Sequence, residues 1–372
     1  MLRLGFDAKR IFHNSTGLGN YGRDLVRILA EYYPQNRYFL YNPKPARVHR
    51  LQLTPALTER RPTGFLMRRF PALWRSRGIL KDLKRDGIRV FHGLSAELPA
   101  GISRTGIASV VTIHDLIFLR FPELYKPIDR WIYRQKFLRA VREADAVVAI
   151  SRQTKRDIMK FGGVAGEKIR VIYQGCHPVF KEQLSGDFLQ QVRSKYGLPE
   201  TFLLQVGTVE PRKNLMNVLR ALRDLPYALV VVGRLTDYGH KAVKYVHDQG
   251  MENRILFLHG LELRELAALY RLARVSIYPS MFEGFGIPII ESLYAGTPVI
   301  TNARGVFPEA AGPGGIYVDD VQNPEALREK IRLAMETDIS DYARKGREYV
   351  HRFDDEVLAG QWMELYRELA GK

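Results

Sequence analysis

The chain has 372 residues, 57 of them Lys or Arg and 40 Asp or Glu, so its formal net charge is +17 with neutral histidines. This length predicts two or three domains, each with its own hydrophobic core. A hydrophobic content of 46% and a charged content of 26% exclude a wholly disordered protein. The candidate partners for the positive charge are nucleic acid, an anionic membrane and polyanionic substrates; a basic surface without a partner is the alternative.

Apolar runs and cysteine content limit the class of protein further. The longest apolar runs, such as residues 107–113 and 144–150, are strand-sized and shorter than the ~18 residues of a membrane helix. Residues 1–7 have an alternating strand pattern and no features of a signal peptide. Cys176 is the single cysteine, which excludes an internal disulfide framework and a multi-cysteine metal site. We therefore expect a reduced, cytoplasmic protein.

In the first half of the chain, strand-like runs alternate with helical patterns. Ser151 is predicted to be the N-cap of a helix at residues 153–160. The predicted strands are residues 2–7, 38–41, 90–92, 110–113, 146–150 and 169–173, and the predicted helices are residues 21–33, 130–144 and 153–160.

The strand pattern restarts in the second half, after a polar and weakly patterned stretch at residues 177–199 that suits an interdomain connection. The predicted strands there are residues 202–206, 229–232, 255–258, 275–278, 298–301 and 315–318, and a final helix covers residues 355–369. We predict two facing Rossmann-like domains of the α/β class, residues 1–178 and 179–352, with residues 353–372 packing on the first. Ligands of such sheets bind at the carboxyl ends of the strands, here in an interdomain cleft.

Two strand-to-helix connections of the first domain could carry function. The stretch from Thr16 to Gly22 contains Gly17 and Gly19, which would let the backbone approach a phosphate at a helix N-terminus. It lacks the third glycine of a dinucleotide-binding loop, so NAD binding is a minor hypothesis. His114 and Asp115 follow a buried strand; they suit a proton-handling or sugar-binding site, or Asp115 is only a helix cap.

Two connections of the second domain carry stronger signals. Gly207 and the adjacent cations Arg212 and Lys213 follow a strand and resemble a diphosphate site. Glu283 and Glu291 are eight positions apart, and the glycines between them leave backbone amides accessible. With Glu291 in the first turn of a helix, both carboxylates can face one cleft and grip sugar hydroxyls.

These residues resemble the group 1, or family 4, retaining glycosyltransferases of the GT-B fold. The resemblance covers most of the chain and is carried by the two spaced glutamates, the Gly207 to Asn214 stretch, the Gly17-Leu18-Gly19 loop and His114-Asp115. Within the family, the chain looks most similar to bacterial mannosyl- and rhamnosyltransferases of polysaccharide assembly.

The resemblance implies a role for each site residue. Glu283, His114 and Arg212 would be catalytic, and Glu283 would bind hydroxyls of the donor sugar. Glu291 would hold the nucleotide ribose. The expected donor and nucleotide ligands are Gly17, Gly19, Gly207, Arg212, Lys213, Gly260, Glu283, Gly284, Phe285, Gly286 and Glu291.

The resemblance also implies the reaction. A hexose, mannose-like, would pass from a nucleotide diphosphate sugar to a lipid-linked or polysaccharide acceptor in cell-envelope glycan synthesis. GDP-mannose is favoured over a UDP-sugar, with no bound cofactor and no metal. The alternatives are a UDP-sugar-dependent transferase for another acceptor, a GT-B nucleotide-sugar epimerase and, most remotely, a nucleic-acid-binding protein.

Basic residues concentrate between positions 60 and 89, among aromatic and leucine side chains. Such a composition is typical of segments that lie on an anionic membrane, although an amphipathic helix covering the sheet has the same pattern. We therefore predict a peripheral protein on the inner face of the cell membrane. The predicted membrane contacts are Phe65, Arg68, Arg69, Trp74, Arg75 and Arg77.

Overall fold

The computed structural model describes residues 1–371 and divides them into two compact units. The first unit contains Met1–Gly175 and the segment from Phe353 onward, and the second contains Cys176–Arg352. Each unit is built on one all-parallel β-sheet with flanking helices, so the predicted α/β class is confirmed.

The sheet of the first unit has seven strands in the order β3-β2-β1-β4-β5-β6-β7. The second to the sixth strand in this order are buried along most of their length because helices cover the sheet, which explains their apolar runs. The strands are β1 Arg3–Asp7, β2 Arg37–Tyr41, β3 Leu57–Arg60, β4 Val90–Gly93, β5 Ala108–Ile113, β6 Ala146–Ala149 and β7 Ile169–Val171. Polar β3 was not predicted.

Eight helices belong to the part of the first unit before residue 176. They are α1 Lys9–His13, α2 Gly17–Tyr32, α3 Phe65–Arg69, α4 Pro71–Leu73, α5 Ile79–Arg85, α6 Ile117–Arg120, α7 Pro127–Glu143 and α8 Arg152–Gly162. The predicted cap of α8 is confirmed, because the Ser151 hydroxyl oxygen accepts a hydrogen bond from the Thr154 N–H at 3.0 Å. The prediction for α2 was wrong at its start: the stretch around Gly17 and Gly19 is the first helical turn, not a loop.

The sheet of the second unit has six strands in the order β10-β9-β8-β11-β12-β13. These strands are β8 Phe202–Val206, β9 Ala228–Val232, β10 Ile255–Leu258, β11 Val275–Tyr278, β12 Val299–Asn302 and β13 Gly315–Val318. All six agree with the predicted strands within one residue at each end.

The helices of the second unit follow its strands in regular alternation. They are α9 Gly186–Tyr196, α10 Leu215–Leu222, α11 Asp237–Asp248, α12 Leu263–Leu272, α13 Ile287–Tyr294, α14 Phe307–Ala311, α15 Pro324–Glu336 and α16 Ser340–Val350. Residues 177–199 are not simply a connection: they contain α9, whose N-terminal Phe188 N–H is capped by the Ser185 hydroxyl at 3.3 Å.

The helix α17, Asp355–Ala370, packs on the first unit. Its Trp362 and Tyr366 are fully buried, and the Tyr366 hydroxyl lies 2.7 Å from Nδ1 of His92 on β4. At the start of α17, Asp355 forms an ion pair of 2.6 Å with Arg27 of α2. The first unit is therefore assembled from two separate stretches of the sequence.

Among residues 1–371, no helix combines the length and the apolar character that crossing a membrane requires.

Candidate functional site

The chemistry-bearing residues of the second unit lie where its strand order reverses. Strands β8 and β11 are neighbours there, and the chain leaves them in opposite directions across the sheet. Ligands of open parallel sheets bind outside the carboxyl ends of strands at such a point. Arg212 and Lys213 follow β8, and Glu283 follows β11.

A tight turn holds the two cations in place. Residues Pro211–Lys213 form a single 3₁₀ turn, which ends at Asn214 with a φ of 62°, a left-handed conformation that asparagine tolerates. The Asn214 side chain donates to the Val321 carbonyl at 2.6 Å. The Gln205 amide of β8 donates to the Lys213 carbonyl at 3.0 Å. The sequence alone assigned a role to neither side chain, because both hydrogen bonds, to residues 8 and 107 positions away, form only in the folded unit.

Glu283 lies between the two cations. Its Oε1 is 2.5 Å from Nη1 of Arg212 and 2.6 Å from Nζ of Lys213. Lys213 also donates to the Tyr278 hydroxyl at 2.5 Å and lies over that ring, 4.5 Å from its centroid. Residues from both connections, 70 positions apart in the sequence, therefore meet at one carboxylate.

Two further acceptors hold the Arg212 guanidinium. Its guanidinium donates to the Phe282 carbonyl at 2.7 Å and to Glu210 at 2.6 Å. An incoming anion must therefore compete with Glu283 and Glu210 for this side chain. A diphosphate that displaced Glu283 would leave its carboxylate available to a sugar hydroxyl.

Burial and charge oppose each other within this cluster. Burial raises the pKa of Glu283, but the nearby Lys213 and Arg212 outweigh it and hold that pKa below its ordinary value. For Lys213 burial dominates and lowers the pKa, against the attraction of Glu283. Glu283 is thus an anion at neutral pH, and the environment of Lys213 disfavours its charged form.

Glu291 is separate from this cluster and has a different environment. It sits on α13, as predicted, and accepts a hydrogen bond of 3.1 Å from the hydroxyl of buried Tyr270. Burial raises the pKa of Glu291 to about 7, although the Tyr270 hydroxyl lowers it. Tyr270 on α12 was missed because no local sequence signal pairs it with α13.

The raised pKa of Glu291 predicts a pH-dependent stability. Below about pH 4.3 the carboxyl is protonated in both the folded and the unfolded chain. As pH rises from there through about 7, the folded state keeps a proton that the unfolded state has lost, so the stability is progressively lost. We expect Glu291→Gln to raise the melting temperature relative to the unaltered protein at about pH 8.5 but much less at about pH 5.

Thermal unfolding followed at both pH values measures this difference. The control is Glu364→Gln, an exposed carboxylate on α17. If the difference in melting temperature between Glu291→Gln and the unaltered protein is the same at both pH values, the raised pKa of Glu291 is contradicted.

A pocket of about 650 Å³ adjoins the cation cluster. Gly207 lines it with a φ of 136°, and a Cβ built there would lie 3.8 Å from Nζ of Lys213. The backbone of Gly233, after β9, touches Gly207: a Cβ at Gly233 would lie 1.9 Å from the Gly207 carbonyl oxygen. Gly260, after β10, lines the same pocket. The pocket thus has the size of a small-molecule site, and Gly207, Gly233 and Gly260 border it.

The segment between the two glutamates is compact. Phe285 is buried at 2% exposure, and Gly286 has a φ of 112° directly before α13. Gly284 is half-buried beside Glu283. Only glycine adopts the conformation of Gly286 without strain, so this residue fixes the direction in which the chain enters α13.

Of the two predicted glycines of the first unit, Gly19 has a local structural explanation. A Cβ at Gly19 would lie 1.9 Å from the Asn14 carbonyl oxygen, so the residue is required by close packing within the first turn of α2. Its N–H donates to the Thr16 carbonyl at 2.9 Å and lies 3.2 Å from the Asn14 side-chain oxygen. Around Gly17 the space is open.

His114 follows β5 and is half-buried. Its Nε2 donates to the Leu94 carbonyl at 2.9 Å, and its ring packs edge-on against Tyr21 at 4.6 Å. Burial lowers the pKa of His114 to about 4, so the imidazole is neutral at neutral pH and its Nδ1 is an acceptor. Asp115 accepts a hydrogen bond of 3.1 Å from the N–H of Ile117, the first residue of α6, whose N-cap is Leu116.

The predicted membrane contacts divide into two groups. Phe65, Arg68, Arg69 and Arg77 are exposed. The prediction was wrong for Trp74, which is 1% exposed and donates to Asp82 at 2.7 Å. It was also wrong for Arg75, which is paired with Asp7 and Glu97 beneath the surface. Asp82, eight positions away, holds Trp74, and the more distant Asp7 and Glu97 hold Arg75, which composition alone does not reveal.

Comparison with known proteins defines the class. Residues 190–352 match the family described as "Glycosyl transferases group 1", and residues 17–179 match "Glycosyltransferase Family 4". The sucrose-phosphate synthase of Thermosynechococcus elongatus has the same fold, with a TM-score of 0.77 at 21% identity over 100% of both chains. Two parallel-sheet units and these matches define a glycosyltransferase of the GT-B fold.

Sequence relatives agree with this class. The chain is 29% identical to the O-antigen chain mannosyltransferase RfbU of Salmonella typhimurium over 260 residues, 68% of each protein. It is 27% identical to the O-antigen chain mannosyltransferase B of Escherichia coli over 356 residues, 91% of each. The chain belongs to the family 4 glycosyltransferases, and the predictions of family, fold and enzyme class are confirmed.

Proposed function

We propose that the protein is a retaining hexosyltransferase that moves a mannose-like sugar from a nucleotide diphosphate sugar to a glycan acceptor of the cell envelope. The observation that supports this donor best is the meeting of Arg212, Lys213 and Glu283 beside a 650 Å³ pocket. Two cations suit the diphosphate, and the adjoining pocket suits the nucleoside. Mannose is favoured because two relatives are named as O-antigen mannosyltransferases.

The site residues would act mainly by electrostatics. Negative charge develops on the departing nucleoside diphosphate, where Arg212 and Lys213 stabilise it. Glu283 binds hydroxyls of the donor sugar and faces the positive charge that develops on the ring. Glu291 holds the ribose, and neutral His114 supplies a hydrogen-bond acceptor rather than a proton. The acceptor attacks on the face that the diphosphate leaves, and the diphosphate takes its proton.

A panel of nucleoside diphosphates tests the donor site. We expect one of GDP, UDP, dTDP and ADP to raise the melting temperature, with GDP favoured. Arg212→Ala should remove the shift, and Glu291→Ala should reduce it. The exposed Arg344→Ala, on α16, is the matched control and should keep the shift in full. If none of the four nucleotides shifts the melting temperature, the proposed donor site is wrong. A shift with UDP alone would contradict the preference for GDP.

We also propose that the first unit contacts an anionic membrane. Phe65 is 87% exposed and Leu66 57% exposed, next to the exposed Arg68 and Arg69. Trp131 on α7, 63% exposed, adds an aromatic side chain that sequence reasoning did not select. Exposed apolar side chains among cations are typical of a membrane-surface segment.

A further inference from the structure

Four buried polar side chains of the first unit form one continuous chain of hydrogen bonds. The members are Tyr366 of α17, His92 of β4, Thr112 of β5 and Tyr21 of α2, and none of them is more than 6% exposed. Buried polar groups are costly unless they are paired, so a chain of four needs an explanation. The reaction proposed above uses none of them.

Each link of this chain is short. The Tyr366 hydroxyl lies 2.7 Å from Nδ1 of His92, and Nε2 of His92 lies 2.7 Å from the Thr112 hydroxyl. The Thr112 hydroxyl lies 3.1 Å from the hydroxyl of Tyr21. Both ring nitrogens of His92 are therefore engaged, and α17 is joined to α2 across two adjacent strands.

Burial determines the direction of these hydrogen bonds. It lowers the pKa of His92 to about 3, so the ring is neutral, donates to one hydroxyl and accepts from the other. Within residues 1–371 the Tyr366 hydroxyl has no other hydrogen-bond partner, so its proton goes to Nδ1, because an unpaired donor in a fully buried side chain is costly. His92 then donates to Thr112, and Thr112 donates to Tyr21, the more exposed of the two tyrosines.

The last member of the chain packs on His114. The Tyr21 ring meets the imidazole edge-on, with the ring planes at 89° and the centroids 4.6 Å apart. The imidazole is also held by its hydrogen bond to the carbonyl of Leu94, which directly follows the strand that carries His92. The orientation of the imidazole therefore depends on Tyr21 and on the end of β4, and the hydrogen-bond chain joins these two.

We propose that Tyr366, His92 and Thr112 are positioning residues, which hold the Tyr21 ring and thereby orient the imidazole of His114 toward the donor sugar. This rests on the proposed function, since it specifies how the His114 of that site is held. Apolar packing alone would let the Tyr21 ring slide along α2, whereas hydrogen bonds of defined length and direction fix its position. The helix α17 then contributes to the reaction although none of its residues is assigned to the site.

The test measures kcat and KM for hydrolysis of GDP-mannose, followed as release of GDP, with UDP-glucose in its place if UDP alone shifts the melting temperature. We expect Tyr366→Phe and Thr112→Val each to lower kcat about tenfold, because a displaced catalytic group lowers the rate more than it weakens binding. The KM should change by less than about twofold. Thr112→Ser keeps the hydroxyl and should keep the rate.

Tyr38→Phe is the matched control for stability. Tyr38 of β2 is fully buried and its hydroxyl donates to the Leu29 carbonyl at 2.8 Å, so this variant also loses a buried tyrosine hydrogen bond in the first unit. We expect it to lower the melting temperature as Tyr366→Phe does but to keep kcat.

A double-mutant cycle tests whether Tyr366 acts through His114. In a His114→Ala background, whose own kcat should be reduced, Tyr366→Phe should lower kcat no further. An additive loss in that background, an unchanged kcat in His114→Ala, or an equal loss of kcat in Tyr38→Phe would overturn the proposal.

The proton–nitrogen correlation NMR spectrum of the histidine side chains gives a readout that needs no turnover. The signal of His114 is identified by its absence from His114→Ala. We expect Tyr366→Phe and Thr112→Val to move this signal and Tyr38→Phe to leave it in place; an unmoved signal in the first two variants would contradict the positioning role. If the signal moves but the unaltered protein hydrolyses neither nucleotide sugar, the positioning of the ring is supported and the proposed reaction is wrong.

Discussion

Replacing Glu283 by glutamine is expected to lower the rate of sugar transfer by about 100-fold or more, the size typical of removing one electrostatic contact to a transition state. Glutamine keeps the shape but removes the charge that we propose faces the donor sugar. Arg212 and Lys213 then lose their shared counterion, 2.5 and 2.6 Å away, so the diphosphate meets less competition. We therefore expect nucleotide binding to persist or strengthen while transfer falls.

Release of nucleoside diphosphate from the donor measures the rate, and thermal shift measures binding. Glu329→Gln, at an exposed carboxylate on α15, is the matched control. Unchanged transfer by Glu283→Gln would remove this residue from the reaction. Parallel loss of nucleotide binding and transfer would instead assign it to ground-state binding.

Arg75→Leu is expected to destabilise the first unit by about 3–5 kcal/mol, because Asp7 keeps a buried charge without its partner. For a domain of this size each kcal/mol lowers the melting temperature by about 2–4 °C, so a fall of about 10 °C is expected. Removing the orphaned charge as well, in Asp7→Asn with Arg75→Leu, should restore much of the loss. Thermal or urea unfolding measures both variants.

The exposed neighbours of Arg75 provide the opposite expectation. Arg68→Glu with Arg69→Glu should leave the melting temperature nearly unchanged and reduce flotation with vesicles that contain anionic lipid. Neutral vesicles are the control for the vesicle surface, and Lys81→Glu with Lys84→Glu is the control for net charge. Undiminished flotation by the Arg68 and Arg69 variant would contradict the membrane proposal; an Arg75→Leu protein of unaltered stability would contradict the buried network.

The periodicity of apolar residues predicted most of the parallel strands, because buried strands need continuous apolar side chains whatever their partners. Local rules also sufficed for Ser151, whose hydroxyl accepts from the N–H of Thr154 three residues later, and for the position of Glu291 on α13. The strand β3 was missed because its sequence, Leu57–Arg60, is polar and half-buried at an edge of the sheet.

The site was predictable in its members but not in its contacts. Arg212, Lys213 and Glu283 could be selected because each follows a strand, and the carboxyl ends of parallel strands share one edge. Tyr278 and Tyr270 could not be selected, because only the packing of the second unit brings their hydroxyls to Lys213 and Glu291.

Long-range ion pairs account for the error at Arg75 in the basic segment. The pattern of basic and apolar residues between positions 60 and 89 is the same whether all the cations are exposed or one of them is buried. Asp7 and Glu97 decide the orientation of Arg75, and each is more than 20 positions away. Composition therefore predicted the charge of the segment correctly but not which side chains are accessible.

The packing of α17 on the first unit affects the order in which the two units complete their folding during synthesis. Ribosomes add about 5–20 residues per second, and domains generally fold as they emerge. The second unit is continuous, Cys176–Arg352, so it can fold before synthesis passes Phe353. The first unit, translated earlier, must wait for Trp362 and Tyr366 to cover β4. During that interval its apolar surface is open to chaperones and to aggregation.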